Sequence, residues 1–296
     1  MKSIISFFLG CLCCLSLAFY QKAESKQTAD TLALFKTYFV GEFDNFQQCW
    51  QENTNTDRHR VAIENKHRHL HSAMQATATP NLFTITHFEE DDTSKILGKR
   101  SVKIEKDKTD NGIIMQVFDE KDRTKPIETV NWLLKDGVFT GQQDGLSNIW
   151  KLQKEGLFIL NDRLFANASK EPYRMLRCRF FKGWIELAMD NVKKDSIYHY
   201  ANLRIHDQGG HAQLRMPDGT PVNYTVELTQ LVFGKNLPIM KLAVYEIPEK
   251  QLEYNSHSIA YTWTNPEAVR LGINLRKMLS GWTYDDPSMW NSDSKK

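Results

Sequence analysis

The chain has 296 residues, of which 41% are hydrophobic and 11% are aromatic, so it carries enough apolar surface for a core and is not an intrinsically disordered protein. Its formal net charge of +2 at pH 7 leaves no strong positive field for nucleic acid. We therefore expect one large or two small folded domains and no nucleic-acid partner.

Residues 1–18 have the pattern of a secretory signal peptide. Lys2 precedes an uncharged apolar run over residues 4–18 that ends in small residues. Cleavage is expected after Ala18, with Ala23 as the second choice. No later segment approaches the ~20 apolar residues of a membrane helix. We expect an exported protein, periplasmic or secreted, with no transmembrane segment; a lipoprotein anchor at a cysteine of the apolar run is the alternative.

Two helices are expected over residues 26–52. Leu32, Phe35 and Phe39 recur at helical spacing, which predicts an amphipathic helix that ends before Gly41. A second, short helix is expected over residues 45–51. Both would precede the first strand of the main domain.

Residues 58–235 are expected to form a β-domain, because apolar and polar residues alternate there with a period of two. About ten short strands separated by turn signals, such as Asp110-Asn111-Gly112, are typical of an antiparallel sheet. Such a sheet either closes on itself or folds into a sandwich. We favour one curled sheet with the first helix as a plug at one end. The expected fold class is mainly β.

The C-terminal part is expected to end in a helix. Asn265-Pro266-Glu267 combines a capping residue, a proline at the first helical position and an acid in the first turn. Apolar residues then recur as far as Trp282. Residues 236–282 are therefore predicted to hold additional strands and a C-terminal helix, and residues 283–296 a polar tail.

Two cysteines lie beyond the predicted signal peptide, Cys49 and Cys178. An oxidising compartment permits a disulfide between them, and the alternative is a pair of buried thiols. Both interpretations stay open. Two histidines at a later turn signal, His206 and His211 around Gly209-Gly210, are interpreted as turn residues.

Three histidines, His67, His69 and His71, recur at every second position. On one strand they would share a face, which makes a zinc or copper site one hypothesis. Side chains at this spacing lie about 6.5–7 Å apart, so three converge only where a strand bends. An ordinary solvent-facing strand is the other interpretation.

The string Gly41-Glu42-Phe43-Asp44-Asn45-Phe46-Gln47-Gln48 follows the first predicted helix and precedes the β-domain. In this context it resembles the T-type phycobiliprotein (chromophore) lyase family, the CpcT/CpeT-like proteins. Looser matches are "NLFTITHFEEDD" and "RMLRCRFFKGWIEL", which look like strands of the family's barrel. The resemblance extends over residues 30–235. A purely structural helix-turn-helix seal is the alternative interpretation of the string.

The resemblance implies a lipocalin-like antiparallel calyx barrel with an N-terminal helical plug. Such a protein would bind an open-chain tetrapyrrole (a bilin) as its substrate and deliver it to a cysteine of a phycobiliprotein. Positioning of the pigment would supply most of the catalysis. Two charged residues, Lys99 and Arg100, are a candidate clamp for a carboxylate. The candidate ligand-binding residues are Phe43, Asp44, Gln48, Lys99, Arg100 and Cys178.

Two alternatives to a lyase remain at this point. The first is an exported, non-catalytic binding protein for a small apolar or tetrapyrrole ligand. The second is a metal-binding periplasmic protein that uses the three alternating histidines.

Overall fold

A computed structural model describes residues 31–59, 67–90, 92–108, 112–143, 149–153, 156–160, 172–188, 197–233 and 237–286. The predicted signal peptide and all but the first residues of the predicted polar tail lie outside these ranges. Among the described helices, none is long and apolar enough to cross a membrane.

Two helices and eighteen strands make up the described chain, so the expected mainly β class is confirmed. Helix α1 covers residues 31–39 and helix α2 covers Phe46–His59. The first ten strands are β1 (Gly41–Asp44), β2 (Leu70–Ala76), β3 (Leu82–Glu89), β4 (Asp92–Lys106), β5 (Ile113–Asp119), β6 (Glu128–Lys135), β7 (Val138–Gln143), β8 (Ile149–Gln153), β9 (Leu157–Leu160) and β10 (Tyr173–Arg177). The remaining strands are β11 (Phe180–Ala188), β12 (Ile197–His206), β13 (Gln208–Arg215), β14 (Pro221–Phe233), β15 (Leu237–Tyr245), β16 (Ala260–Thr264), β17 (Arg270–Asn274) and β18 (Met278–Tyr284).

Strands β1–β10 form a curled, barrel-like antiparallel sheet in the order β1-β10-β9-β8-β7-β6-β5-β4-β3-β2. Consecutive strands pair along most of this sheet, as short turns between antiparallel strands require. On β4, Val102 and Ile104 are buried while Lys103 between them is not. They lie opposite Val117 and Met115 of β5, which are also buried. The period-two pattern seen in the sequence therefore corresponds to one buried face.

The chain divides into two compact units. The first contains the described parts of Met1–Gly41, Ala73–Thr86 and Lys99–Ile159. Its core includes α1, whose Phe35 ring is fully buried and meets the ring of Trp132 edge-on at 5.1 Å and that of Phe139 at 5.0 Å. A Cβ atom on Gly141 would lie 2.8 Å from the Trp132 ring, so this close approach depends on glycine. Aromatic contacts therefore join α1 to the strands of this unit.

The second unit contains Glu42–Ser72, His87–Gly98 and Leu160–Lys296. Two four-stranded sheets lie within it, in the orders β12-β11-β18-β17 and β13-β14-β15-β16. Phe181 and Trp282 of the first sheet join Leu228 and Leu242 of the second in one buried apolar cluster. The strands after residue 180 therefore form a sandwich, whereas we favoured one curled sheet for those up to residue 235.

The predicted C-terminal helix is wrong, because β17 and β18 occupy its place. The helix-start signal is real but local: Asn265 accepts hydrogen bonds from the backbone N–H groups of Glu267 and Ala268, which closes a single turn. Beyond the turn, β18 pairs with β11 and buries Trp282. Sheet pairing and burial outweigh the capping signal.

Candidate functional site

Asp44 links the opening of α2 to two histidines. Its carboxylate is fully buried and Oδ1 accepts a 2.6 Å hydrogen bond from the backbone N–H of Phe46, which satisfies one free donor at the start of the helix. Oδ1 also lies 2.8 Å from Nε2 of His69, and Oδ2 lies 3.2 Å from Nδ1 of His71. Burial alone would raise the pKa of Asp44, but the interactions with both histidines hold it well below its usual range.

Two amides of the same string hold neighbouring backbone in place. Asn45 accepts a 2.7 Å bond from the N–H of Leu70 and donates to the carbonyl of Arg68. Gln48, which we predicted as a ligand-binding residue, is buried and accepts a 3.0 Å bond from the N–H of Arg174. These contacts fix the chain just before β2 and at the start of β10.

The three alternating histidines do not share a strand face, because β2 begins only at Leu70. Each lies within hydrogen-bonding distance of a carboxylate. Nδ1 of His67 lies 2.7 Å from Glu52, and this contact helps to lower the pKa of Glu52 against the effect of burial. His69 and His71 both pair with Asp44, as described above.

His71 is a buried imidazole that lies between two carboxylates. In addition to Asp44, it contacts Glu42 with 2.9 Å between Nε2 and Oε2, so both ring nitrogens face a carboxylate. Burial opposes a positive charge here, but the hydrogen bonds to Asp44, Cys178 and Glu42 raise the pKa of His71 well above its ordinary value. The pKa of Glu42 is lowered by His71, again against the effect of burial.

Cys178 and His206 complete the surroundings of His71. One ligand atom from each of the three residues lies within 4.8 Å of the others, and all three residues are buried. The rings of His71 and His206 are 5.1 Å apart and inclined by 31°. Neighbouring Asp207 is fully buried and accepts a 2.9 Å bond from the N–H of Arg179, which ties the β12–β13 junction to the segment after Cys178. The structure therefore gathers two imidazoles and a thiol from three separate stretches of chain.

A groove of about 580 Å³ lies beside this cluster in the second unit. Its aromatic side is formed by Phe46, His69 and Tyr254, with ring centroids 5.4 Å apart for Phe46 and Tyr254 and 5.7 Å apart for Phe46 and His69. Gly209 forms part of the lining. A Cβ atom there would overlap the ring of Phe46, so the aromatic wall depends on this glycine, whose φ is +85°.

The groove carries charges of both signs. Acidic and basic side chains line it together: Glu90, Asp92, Glu227, Glu249, Glu253, Lys95, Lys250, His69 and His211. Nε2 of His211 lies 2.7 Å from Glu249. Glu227 is buried, accepts a 3.1 Å bond from the hydroxyl of Tyr245, and has a pKa raised by its burial. The groove thus offers flat apolar surface, hydrogen-bond acceptors and cationic groups within one volume.

The other predicted ligand residues are not part of the groove lining. Phe43 is fully buried, with the guanidinium of Arg177 stacked 4.7 Å from its ring centroid. Lys99 and Arg100 are engaged in ion pairs of 3.5 Å with Glu120 and Asp119 on the first unit. Both described cysteines, Cys49 and Cys178, are free buried thiols, so the structure has the pair of thiols and not the disulfide.

Sequence reasoning missed several of the residues at these sites. His206 and His211 were interpreted as turn residues, yet the backbone turns at Asp207 and β13 begins directly after it. Glu227 gave no signal because it alternates with apolar residues as any strand charge does. Comparison of the chain with protein-family models, with curated proteins and with solved structures gives no match.

Proposed function

We propose that this chain is a CpcT/CpeT-like chromophore lyase family protein that binds an open-chain tetrapyrrole in the groove beside Phe46. The observation that carries the proposal is the combination of neighbouring aromatic rings, acceptors and cations in a groove of about 580 Å³. This volume falls within the ~300–1,000 Å³ of small-molecule sites.

The chemistry of a bilin matches these three kinds of group. Its conjugated rings need flat apolar partners, which Phe46 and Tyr254 supply. Its pyrrole N–H groups are donors that Glu90 or Glu227 can accept. Its two propionates need cations, and Lys250 and Lys95 lie on the same lining, where Lys95 is also 3.8 Å from Glu89 and 3.7 Å from Asp92.

The position of the family-like string supports the same proposal. Phe46 belongs to the string and also forms the groove wall, and Asp44 of the string holds His69, which is another part of that wall. The string would therefore have two roles: it caps the start of α2, and it shapes a ligand site.

A lipocalin-like calyx with α1 as its plug is part of the proposal. Phe35 and Phe39 of α1 are fully buried, and Phe39 meets Phe83 of β3 at 5.7 Å. These rings fill space on the inner side of the strands that a calyx ligand would otherwise use. We therefore place the ligand in the groove of the second unit and not within the strands around α1.

Delivery of the bilin to a phycobiliprotein cysteine is the enzymatic part of the proposal. A groove that holds the pigment in one orientation near an acceptor thiol would supply most of the rate enhancement. The signal-peptide pattern of residues 1–18 supports an exported protein, and this favours the alternative of a binding protein without a transfer step. The two forms of the proposal share the groove and differ only in transfer.

A visible absorption titration with biliverdin tests the shared part. The protein is expected to give a saturable, red-shifted band, and Tyr254→Ala is expected to bind about tenfold more weakly, since a lost aromatic contact costs ~1.4 kcal/mol. Tyr261→Ala is the matched control, because Tyr261 is 55% exposed on β16 and outside the groove. Equal affinity in wild type and Tyr254→Ala, or no saturable band, would remove the groove as a bilin site.

Transfer is tested separately by zinc fluorescence after denaturing electrophoresis with an acceptor phycobiliprotein subunit. A fluorescent acceptor band supports the lyase. A bound bilin without such a band would leave the non-catalytic binding protein.

A further inference from the structure

The buried cluster around His71 has a composition that its ion pairs do not explain. The carboxylates of Asp44 and Glu42 already face the two ring nitrogens of His71, yet a thiol and a second imidazole also lie beside it. Imidazole, thiolate and carboxylate are the side chains that bind zinc in proteins. We propose that His71, Cys178 and His206 bind a divalent transition-metal ion, with zinc as the best-matched metal.

The spacing is close to that of a tetrahedral zinc site. With Zn–N of about 2.05 Å and Zn–S of about 2.3 Å, tetrahedral ligand atoms lie roughly 3.3–3.6 Å apart. Here the three ligand atoms lie within 4.8 Å of one another. Movements of about 1 Å in the three side chains would bring them to coordination distance.

Asp44 prepares His71 for ligation. Its Oδ2 faces Nδ1 of His71, which directs Nε2 away from Asp44 and towards Glu42. A carboxylate that accepts from one ring nitrogen while the other binds metal is the usual support of a histidine ligand. With Nε2 bound to the metal, Nδ1 of His71 would donate its hydrogen to Oδ2 of Asp44.

Glu42 lies beside His71 at the edge of the cluster. Its Oε2 is 2.9 Å from Nε2 of His71, and its side chain is 29% exposed. The site would therefore have a route to solvent on the side of Glu42.

The ligand set favours zinc over harder ions. Magnesium and calcium prefer all-oxygen sites, whereas a mixture of imidazole and thiolate selects zinc or copper. This inference goes beyond the proposed bilin site, since it uses no residue of the groove lining.

Cobalt titration of the purified full chain tests the site. Tetrahedral Co²⁺ bound to a thiolate gives a ligand-to-metal band in the near ultraviolet and strong visible absorption, and Zn²⁺ should abolish both in competition. The background for the test is a full-length variant with serine at Cys11, Cys13, Cys14 and Cys49, in which Cys178 is the remaining cysteine. This background is expected to keep the thiolate band at one metal per chain.

Adding Cys178→Ser to that background should remove the thiolate band, and His206→Gln should weaken cobalt binding about tenfold or more. Circular dichroism establishes that each variant is folded. If either fails to fold, the background variant still decides, since its thiolate band has no other source. A folded background protein without the band, or with a band that persists after Cys178→Ser, would overturn the metal site and leave a metal-free ion-pair network.

Discussion

Replacement of Asp44 by asparagine separates the charge of this residue from its shape. The amide oxygen of Asn is expected to keep the bond from the backbone N–H of Phe46, which starts α2. The negative charge facing His69 and His71 is lost. The variant therefore tests whether the ion pairs stabilise the fold independently of the helix cap.

The expected loss in the free energy of unfolding is large because the carboxylate of Asp44 is buried. The side chain of Asp44 is 0% exposed, and its partners His71 and His69 are 1% and 12% exposed. Removal of one partner from a buried pair leaves an uncompensated charge and costs about 3–5 kcal/mol. Glu42 remains beside His71 with 2.9 Å between Nε2 and Oε2, so we expect a value near the lower end, about 3 kcal/mol.

Urea unfolding at neutral pH, followed by circular dichroism, measures this free energy. Glu89→Gln is the control, since it removes the same charge from the exposed Arg68–Glu89 pair, and its loss is expected to be small. A loss for Asp44→Asn no larger than that of Glu89→Gln would refute the reasoning. The contacts of Asp44 with His69 and His71 would then stabilise the fold no more than an exposed ion pair does.

Three further predictions concern the second unit and the thiols. Burial raises the pKa of Glu227, so the contribution of this group to stability is present at low pH and is lost as pH rises through its folded-state pKa. In urea unfolding, Glu227→Gln should therefore be nearly neutral at about pH 4 and stabilising at about pH 8. A variant that is less stable than wild type at the higher pH would contradict this. Gly209→Ala should lower the free energy of unfolding by about 1–3 kcal/mol more than Gly219→Ala does. Both glycines have nearly the same positive φ (+85° and +86°), but only a Cβ atom at position 209 would overlap the ring of Phe46. Equal losses in thermal unfolding would show that this ring moves freely. Alkylation of the denatured, unreduced protein followed by mass spectrometry should label Cys49 and Cys178, whereas a mass two hydrogens lower with neither labelled would establish a disulfide.

Local patterns predicted local structure where burial followed the same period. The alternation in β4 and β5 gave both the strands and their buried face, since Val102 and Ile104 lie on one side of the sheet. The helical spacing of Phe35 and Phe39 likewise placed α1, and both rings are fully buried. In these segments the intrinsic preference and the tertiary environment agree.

The helix prediction for the C-terminal segment was wrong because the local signal and the tertiary environment disagree there. Asn265 closes a turn as its capping signal predicts, but the following residues pair with β11. Gly183 of β11 leaves room for the ring of Trp282, which becomes buried. This pairing joins residues about a hundred positions apart, so no local pattern could have predicted it.

The sequence by itself determined the mainly β class, the strands that alternate, and the unusual string after the first helix. Only the tertiary structure decided which polar residues meet. His71, Cys178 and His206 come from three separate stretches, and the spacing of His67, His69 and His71 suggested a different set. The physical reason is that sequence periodicity fixes the face of a residue on its own strand, whereas a buried site is set by register and packing between distant strands.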